Sequence, residues 1–255
     1  MANRSPQKHR FRSVSIFWLL PNMLTIGGFV SGLTALRFAL DGRWAGVIVL
    51  ITVAAVFDAL DGRTARRFKT QSAFGAALDS LSDLVVFGVV PALCLFTWAL
   101  QDSGNIAWVA TLFFAVSIAL RLARFDSELP NPADYAANYF TGIPAPAAGF
   151  LVLMPIVIDL EFGLEVVRQA SYVSIWLVLI GAGAVSTLPS FAGKKLKLPV
   201  NTVLPVLALV GLLGAAIVTE PWLTYLAVAT VYIVFLPIAA IRFTREKSAQ
   251  NSSDT

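Results

Sequence analysis

Eight apolar segments dominate this chain, at about 24–40, 44–60, 83–100, 105–120, 145–160, 171–188, 202–219 and 222–241. Each is near the roughly 20 residues that carry a helix across a bilayer. In hydrocarbon every backbone N–H and C=O must be bonded internally, which a helix of this length achieves. Composition agrees: 57% of residues are apolar and only 13% charged, against about 25% charged in soluble domains. The expected fold is all-α, a polytopic membrane helical bundle of about eight transmembrane helices. No internal repeat, soluble second domain or low-complexity linker interrupts it.

Charge placement sets the expected orientation. Arg4, Lys8, Arg10 and Arg12, then Arg63–Lys69, Arg121 and Arg124, Lys194–Lys197, and Arg242–Lys247 hold 16 of the 19 Lys and Arg residues. The alternate connections hold only Arg37, Arg43 and Arg168, beside Asp41, Asp102, Asp159, Glu161, Glu165 and Glu220. By the positive-inside rule both termini are cytoplasmic. The basic start runs into an apolar segment without a small-residue cleavage site, so no cleaved leader is expected. Residues 1–20 are expected to form a basic cytoplasmic segment, 21–243 the transmembrane domain, and 244–255 a disordered cytoplasmic tail. Pro21 with Asn22, Pro199 with Asn201, and Pro221 are placed to open the first, seventh and eighth spans. Pro144 and Pro146 predict a shaped entry to the fifth.

Within this apolar chain lies the pattern Asp58-x2-Asp61-Gly62-x2-Ala65-Arg66-x8-Gly75-x3-Asp79-x3-Asp83. A carboxylate at membrane depth costs roughly 2.5–3.5 kcal/mol on insertion scales. Four of them require a cation. On helices, Asp58, Asp61, Gly62 and Ala65 share one face, and Gly75, Asp79 and Asp83 form a second stripe. A tight turn at Phe68–Ser72 brings the two faces together. Oxygen ligands in this number suit Mg²⁺, Mn²⁺ or Ca²⁺ rather than zinc or copper. Small residues leave room for a ligand, and Arg66 can neutralise a phosphate. The plainer alternative, aspartates pairing with Arg63, Arg66 and Arg67 to fix the helices, leaves an excess of acid and no purpose for the glycines. His9 and Cys94 are the only residues of their kinds, so acid–base work falls to carboxylates and a cysteine metal site is excluded.

At every defined position the pattern resembles that of the CDP-alcohol phosphotransferase family, membrane enzymes that transfer a phosphatidyl or similar group from a CDP-linked donor to an alcohol. The resemblance implies a six-helix shared core, with two of the eight helices as additions. It implies that Asp58, Asp61 and Asp79 ligate one or two divalent metals, Mg²⁺ or Mn²⁺, while Asp83 completes the site and deprotonates the acceptor hydroxyl. Gly62, Ala65, Arg66 and Gly75 would line the cytidine diphosphate pocket. Asn22 and Thr25 resemble positions that reach the nucleotide. A homodimer is implied in the same way.

Within that family, Arg121-Leu-Ala-Arg124-Phe125, Tyr139-Phe-Thr-Gly142-Ile-Pro144-Ala-Pro146, and Leu78–Asp83 followed by Phe87-Gly88 look like the phosphatidylserine synthase branch. That branch uses CDP-diacylglycerol and L-serine and releases CMP. Ile143 and Ala145 depart from its usual residues, where leucine and a small hydroxyl residue are common. Arg121 and Arg124 have two readings: partners for serine's carboxylate, or ordinary positive-inside residues snorkelling to the interface. The expected partners are CDP-diacylglycerol, L-serine and the bilayer, with no nucleic acid, and the active site faces the cytoplasm. Rival readings are a sister enzyme using glycerol 3-phosphate or inositol, a membrane prenyltransferase, and a cation transporter. No second aspartate cluster follows Asp134, against the prenyltransferase. The transporter leaves Gly62, Arg66 and Gly75 unexplained.

Overall fold

The computed structural model describes residues 16–68, 72–127, 139–187, 189–191 and 202–253. The amino-terminal segment before residue 16, Lys194–Lys197, Pro199 and Asn201 lie outside them. Helices occupy all eight apolar segments: α1 Ile16–Leu40, α2 Trp44–Phe68, α3 Ala73–Leu100, α4 Gly104–Ser127, α5 Ala145–Phe162, α6 Ala170–Val185, α7 Val203–Thr219 and α8 Pro221–Ser253. The fold is an all-α membrane bundle. Among the described residues six helices are long and apolar enough to cross a membrane, while α6 and α7 are apolar but shorter. The chain is an integral membrane protein.

The turn between α1 and α2 is made by Gly42 at φ 70°, a left-handed conformation that glycine adopts without steric cost. The last carbonyls of α1 are taken up locally: Asp41 N–H donates to Arg37 O at 3.1 Å and Arg43 N–H to Phe38 O at 2.8 Å. The helices then run back along each other, so the carboxyl-terminal half of α2 lies beside the start of α1.

Ser72 caps α3 in extended conformation and its hydroxyl accepts from Gly75 N–H. The helix is α-helical to Asp83, then opens into wider π-helical turns at Leu84–Val89 and Phe96–Leu100. This span lies deepest in the bundle: Val86, Phe87, Cys94, Leu95 and Leu100 are all buried. They pack with Phe114 and Ile118 of α4, Leu151 and Ile156 of α5, and Leu177 of α6. Gly149 of α5 approaches so closely that a Cβ there would lie 2.9 Å from the backbone Cα and O of Phe87.

Pro144 precedes α5 in an extended conformation and Pro146 sits in its first turn, as the two prolines predict. The helix breaks at Leu153 and resumes at Met154. Pro155 lacks the N–H that would bond to Leu151 O. Trp176 Nε1 donates to that carbonyl instead, at 3.1 Å, and the Tyr225 hydroxyl donates to Phe150 O. Side chains from α6 and α8 thus satisfy a broken helix at membrane depth. By contrast, α7 is exposed almost all round, with Leu204 81% and Val218 83% accessible, as suits a helix in lipid.

Three details differ from the expectations. Pro21 lies inside α1 rather than at its first position, because the helix begins about a turn earlier, at Ile16. The polar residues after 244, expected as a disordered tail, continue α8 as far as Ser253; they contain no proline or glycine to break the backbone ladder. A short antiparallel pair, Tyr139–Thr141 with Pro189–Phe191, ties the segment after α4 to the segment after α6.

Candidate functional site

The α2–α3 hairpin puts both acidic stripes in one place. Carboxylate oxygens of Asp58, Asp61 and Asp79 all lie within 4.8 Å of one another. Asp83 and Asp58 line the same small recess inward of this cluster. Carboxylates within 4.8 Å of one another require a shared proton or a cation between them. Asp61 is almost fully buried, 4% exposed, and the Thr25 hydroxyl of α1 donates to its Oδ2 at 2.7 Å. The same hydroxyl lies 3.1 Å from Pro21 O. Thr25, expected to reach the nucleotide, is thus engaged with an aspartate.

The donor set passes the test of composition for a hard divalent cation. Three carboxylates from two helices offer oxygen alone, in a partly buried setting where unneutralised charge is costly. An oxygen-liganded divalent cation fits this chemistry.

Beside the acids opens a cavity of about 340 Å³. Asn22, Thr25, Gly62, Ala65, Arg66 and Gly75, all singled out in the sequence, line it together with Asp61 and Asp79. Its small residues create the space. A Cβ on Gly75 would lie 3.0 Å from Asn22 Oδ1 and 3.2 Å from Ser72 Oγ. Gly62 lies beneath the Arg66 guanidinium, with Nη1 3.6 Å from where a Cβ would be. A cation at the rim, carboxylates at the floor and small residues along the wall suit an anionic, metal-associated ligand. A second, smaller recess reaches inward from the acids, where Asp58 and Asp83 meet Ser82 and Phe87.

Sequence reasoning missed Pro21, Ser72 and Ala76, which also line the cavity. The Ser-x-x-Gly cap could have pointed to Ser72. Neither Arg121 nor Arg124 borders that cavity. Arg121 is buried, 9% exposed, close enough to Asp83 and to Tyr232 of α8 to interact with both electrostatically. Arg124 is half-buried. Nothing local in the sequence marks Tyr232.

Comparison with known proteins adds independent findings. The family model described as CDP-alcohol phosphatidyltransferase matches residues 18–182, and one described as CDP-alcohol phosphatidyltransferase 2 matches residues 201–237. A CDP-diacylglycerol–serine O-phosphatidyltransferase of Mycobacterium tuberculosis is 34% identical over 87% of this chain and 78% of its own length. The protein of that name from Helicobacter pylori is 32% identical over 72% of this chain and 76% of its own. That from Bacillus subtilis is 33% identical over 53% and 73% respectively.

Proposed function

This chain belongs to the CDP-alcohol phosphatidyltransferase family, and on that footing we propose that it is a phosphatidylserine synthase, transferring the phosphatidyl group of CDP-diacylglycerol to the hydroxyl of L-serine. Membership removes the prenyltransferase and transporter readings. The observation that carries the proposal is the clustering of Asp58, Asp61 and Asp79 where a cavity lined by Asp61, Asp79, Gly62, Ala65, Arg66 and Gly75 lies next to a smaller recess lined by Asp58 and Asp83.

In this reading the cytidine diphosphate group lies in the cavity, against the small residues, with Arg66 beside a phosphate. Asp58, Asp61 and Asp79 would hold a divalent cation, Mg²⁺ or Mn²⁺, which would supply charge neutralisation for the diphosphate. Asp83 takes the proton from the serine hydroxyl. The serine oxygen bonds to the lipid-side phosphorus, the bond from that phosphorus to the CMP oxygen breaks, and CMP leaves with the electron pair. The work of the protein is chiefly positioning and charge stabilisation. Thr25 holds Asp61 in place. With basic residues concentrated on one side, the site and both termini face the cytoplasm. The assembly we propose, on resemblance alone, is a homodimer.

The experiment is a head-group competition on purified protein in detergent. CDP-diacylglycerol and Mg²⁺ or Mn²⁺ are supplied with labelled serine, glycerol 3-phosphate or inositol in separate reactions. Labelled lipid and CMP from serine alone, abolished by chelation and by Asp83→Asn, is the expected result. Labelling from another alcohol keeps the family chemistry and overturns the acceptor.

A further inference from the structure

We propose that Ser82 is a positioning residue of the cation site: its hydroxyl meets the divalent cation through the one water that the inner recess has room for. This rests on the cation of the proposed function and adds to it a residue outside the pattern of acids and glycines.

Hydroxyls in these helices are commonly satisfied by their own backbone. Ser31 donates to Gly27 O at 2.9 Å, Thr52 to Ile48 O at 2.8 Å, Thr97 to Leu93 O at 2.8 Å and Thr111 to Ala107 O at 2.9 Å. Each uses the carbonyl four residues back. Ser82 does not. It is 7% exposed, yet among the described residues its hydroxyl has neither that bond nor another protein partner. A buried hydroxyl left in that state is costly and rare. Unlike Trp98 Nε1, which is unpaired and sealed in protein, the Ser82 side chain borders open space, because it lines the inner recess.

The recess is sized for one guest. Its volume is about 10 Å³, the room of a single water and far too little for an amino acid or a nucleotide. Its polar lining is Asp58, Asp61, Asp79 and Asp83 with Thr25 and Ser82. The Thr25 hydroxyl is already given to Asp61. Asp58, Asp61 and Asp79, the three acids close enough to share an ion, all border the recess. Small hard cations keep several of their waters, and this space accommodates one. Ser82 follows Asp79 by three residues and so shares its helical face. Carboxylates only accept hydrogen bonds, whereas a hydroxyl accepts one from a water and donates its own proton to a neighbouring acid. It thereby adds an oxygen to the site without adding to the crowded negative charge.

The test is Mn²⁺ binding to purified protein in detergent without substrates, read from the paramagnetic resonance of the free ion. Melting temperatures in EDTA and in saturating Mn²⁺ are taken on the same samples. The proteins are the wild type, Ser82→Ala and Ser82→Cys. Alanine is the better helix former, so the first variant should fold. Ser82→Ala is expected to raise the Kd for Mn²⁺ by about tenfold, the scale of losing a group that orients a metal's ligands. The rise in melting temperature on adding Mn²⁺ shrinks, while the melting temperature in EDTA is unchanged. Ser82→Cys keeps the volume but has only a weak hydrogen-bonding group, and it is expected to follow the alanine variant. A wild-type Kd in Ser82→Ala overturns the inference. So does a cysteine variant that binds like the wild type while alanine does not, since volume and not the hydroxyl then matters. A loss in EDTA as large as the loss in Mn²⁺ marks a packing role and overturns it equally. A wild type that binds no Mn²⁺ defeats the cation of the proposed function itself, whereas equal binding by wild type and Ser82→Ala defeats only this assignment.

Discussion

Thr25 and Asp61 are joined across two helices, the hydroxyl of the first donating to the carboxylate of the second at 2.7 Å. The bond orients a buried acid that belongs to the carboxylate cluster. Groups that orient metal ligands typically contribute 10–100-fold in metal affinity or activity. Thr25→Val keeps the shape and removes the donor. It is expected to raise the Mg²⁺ or Mn²⁺ concentration for half-maximal CMP release by about tenfold, while Thr25→Ser stays close to wild type. A metal titration of activity checks both.

The clustered aspartates should weaken the fold where no cation meets them. Asp58 shares a recess with Asp83 and lies beside Asp61 and Asp79. Replacing one charge by an amide relieves that repulsion, so Asp58→Asn is expected to abolish activity and yet raise the melting temperature in EDTA by a few degrees. Mn²⁺ is expected to stabilise the wild type and to have a much smaller effect on the variant. Thermal melts with and without the ion read both effects.

Gly75 and Gly62 line the same cavity but tolerate a methyl group differently. At Gly75 a Cβ would meet Asn22 Oδ1 at 3.0 Å and Ser72 Oγ at 3.2 Å, whereas at Gly62 its nearest neighbour is Arg66 Nη1 at 3.6 Å. Gly75→Ala is expected to raise the KM for CDP-diacylglycerol by about tenfold, the equivalent of about 1.4 kcal/mol. Gly62→Ala, by the same assay, is expected to cost less.

Gly149 supports the site from a distance. Its Cα faces the backbone of Phe87, where an added Cβ would come within 2.9 Å of main-chain atoms that cannot swing aside. Gly149→Ala should destabilise by about 1–3 kcal/mol and lower the melting temperature by several degrees. Because Phe87 follows Asp83 by one turn, kcat is expected to fall as well, with little change in metal requirement.

How much of this was visible in the residues follows from the range of the forces involved. The helices stand out because hydrocarbon imposes length and polarity on each segment by itself. Asp58, Asp61, Asp79 and Asp83 were legible because their spacing and cost in an apolar chain are local facts. What could not be read depends on contacts between distant segments. Tyr139–Thr141 has no partner until Pro189–Phe191 arrives. Trp176 looks like any apolar residue until Pro155 frees the carbonyl it bonds. Tyr225 meets the Phe150 carbonyl only through the packing of the last helix. Composition alone pointed to a disordered tail, while the helix continues to Ser253.

The widened turn after Asp83 has a bearing on how such chains can vary. Val90 N–H bonds to Val85 O, five residues back, so Leu84–Val89 holds one residue more than an α-helical pitch accommodates. A single deletion there would be absorbed as the turn tightens, leaving the helix on either side in its present orientation. The same deletion between Gly75 and Asp83 would swing an aspartate about 100° around the helix and out of the cluster. Spacing is rigid up to Asp83 and elastic just beyond it. Alignments across this span should place their gaps between Leu84 and Val89, and the strict pattern of acids and glycines ends where the helix can first take up slack.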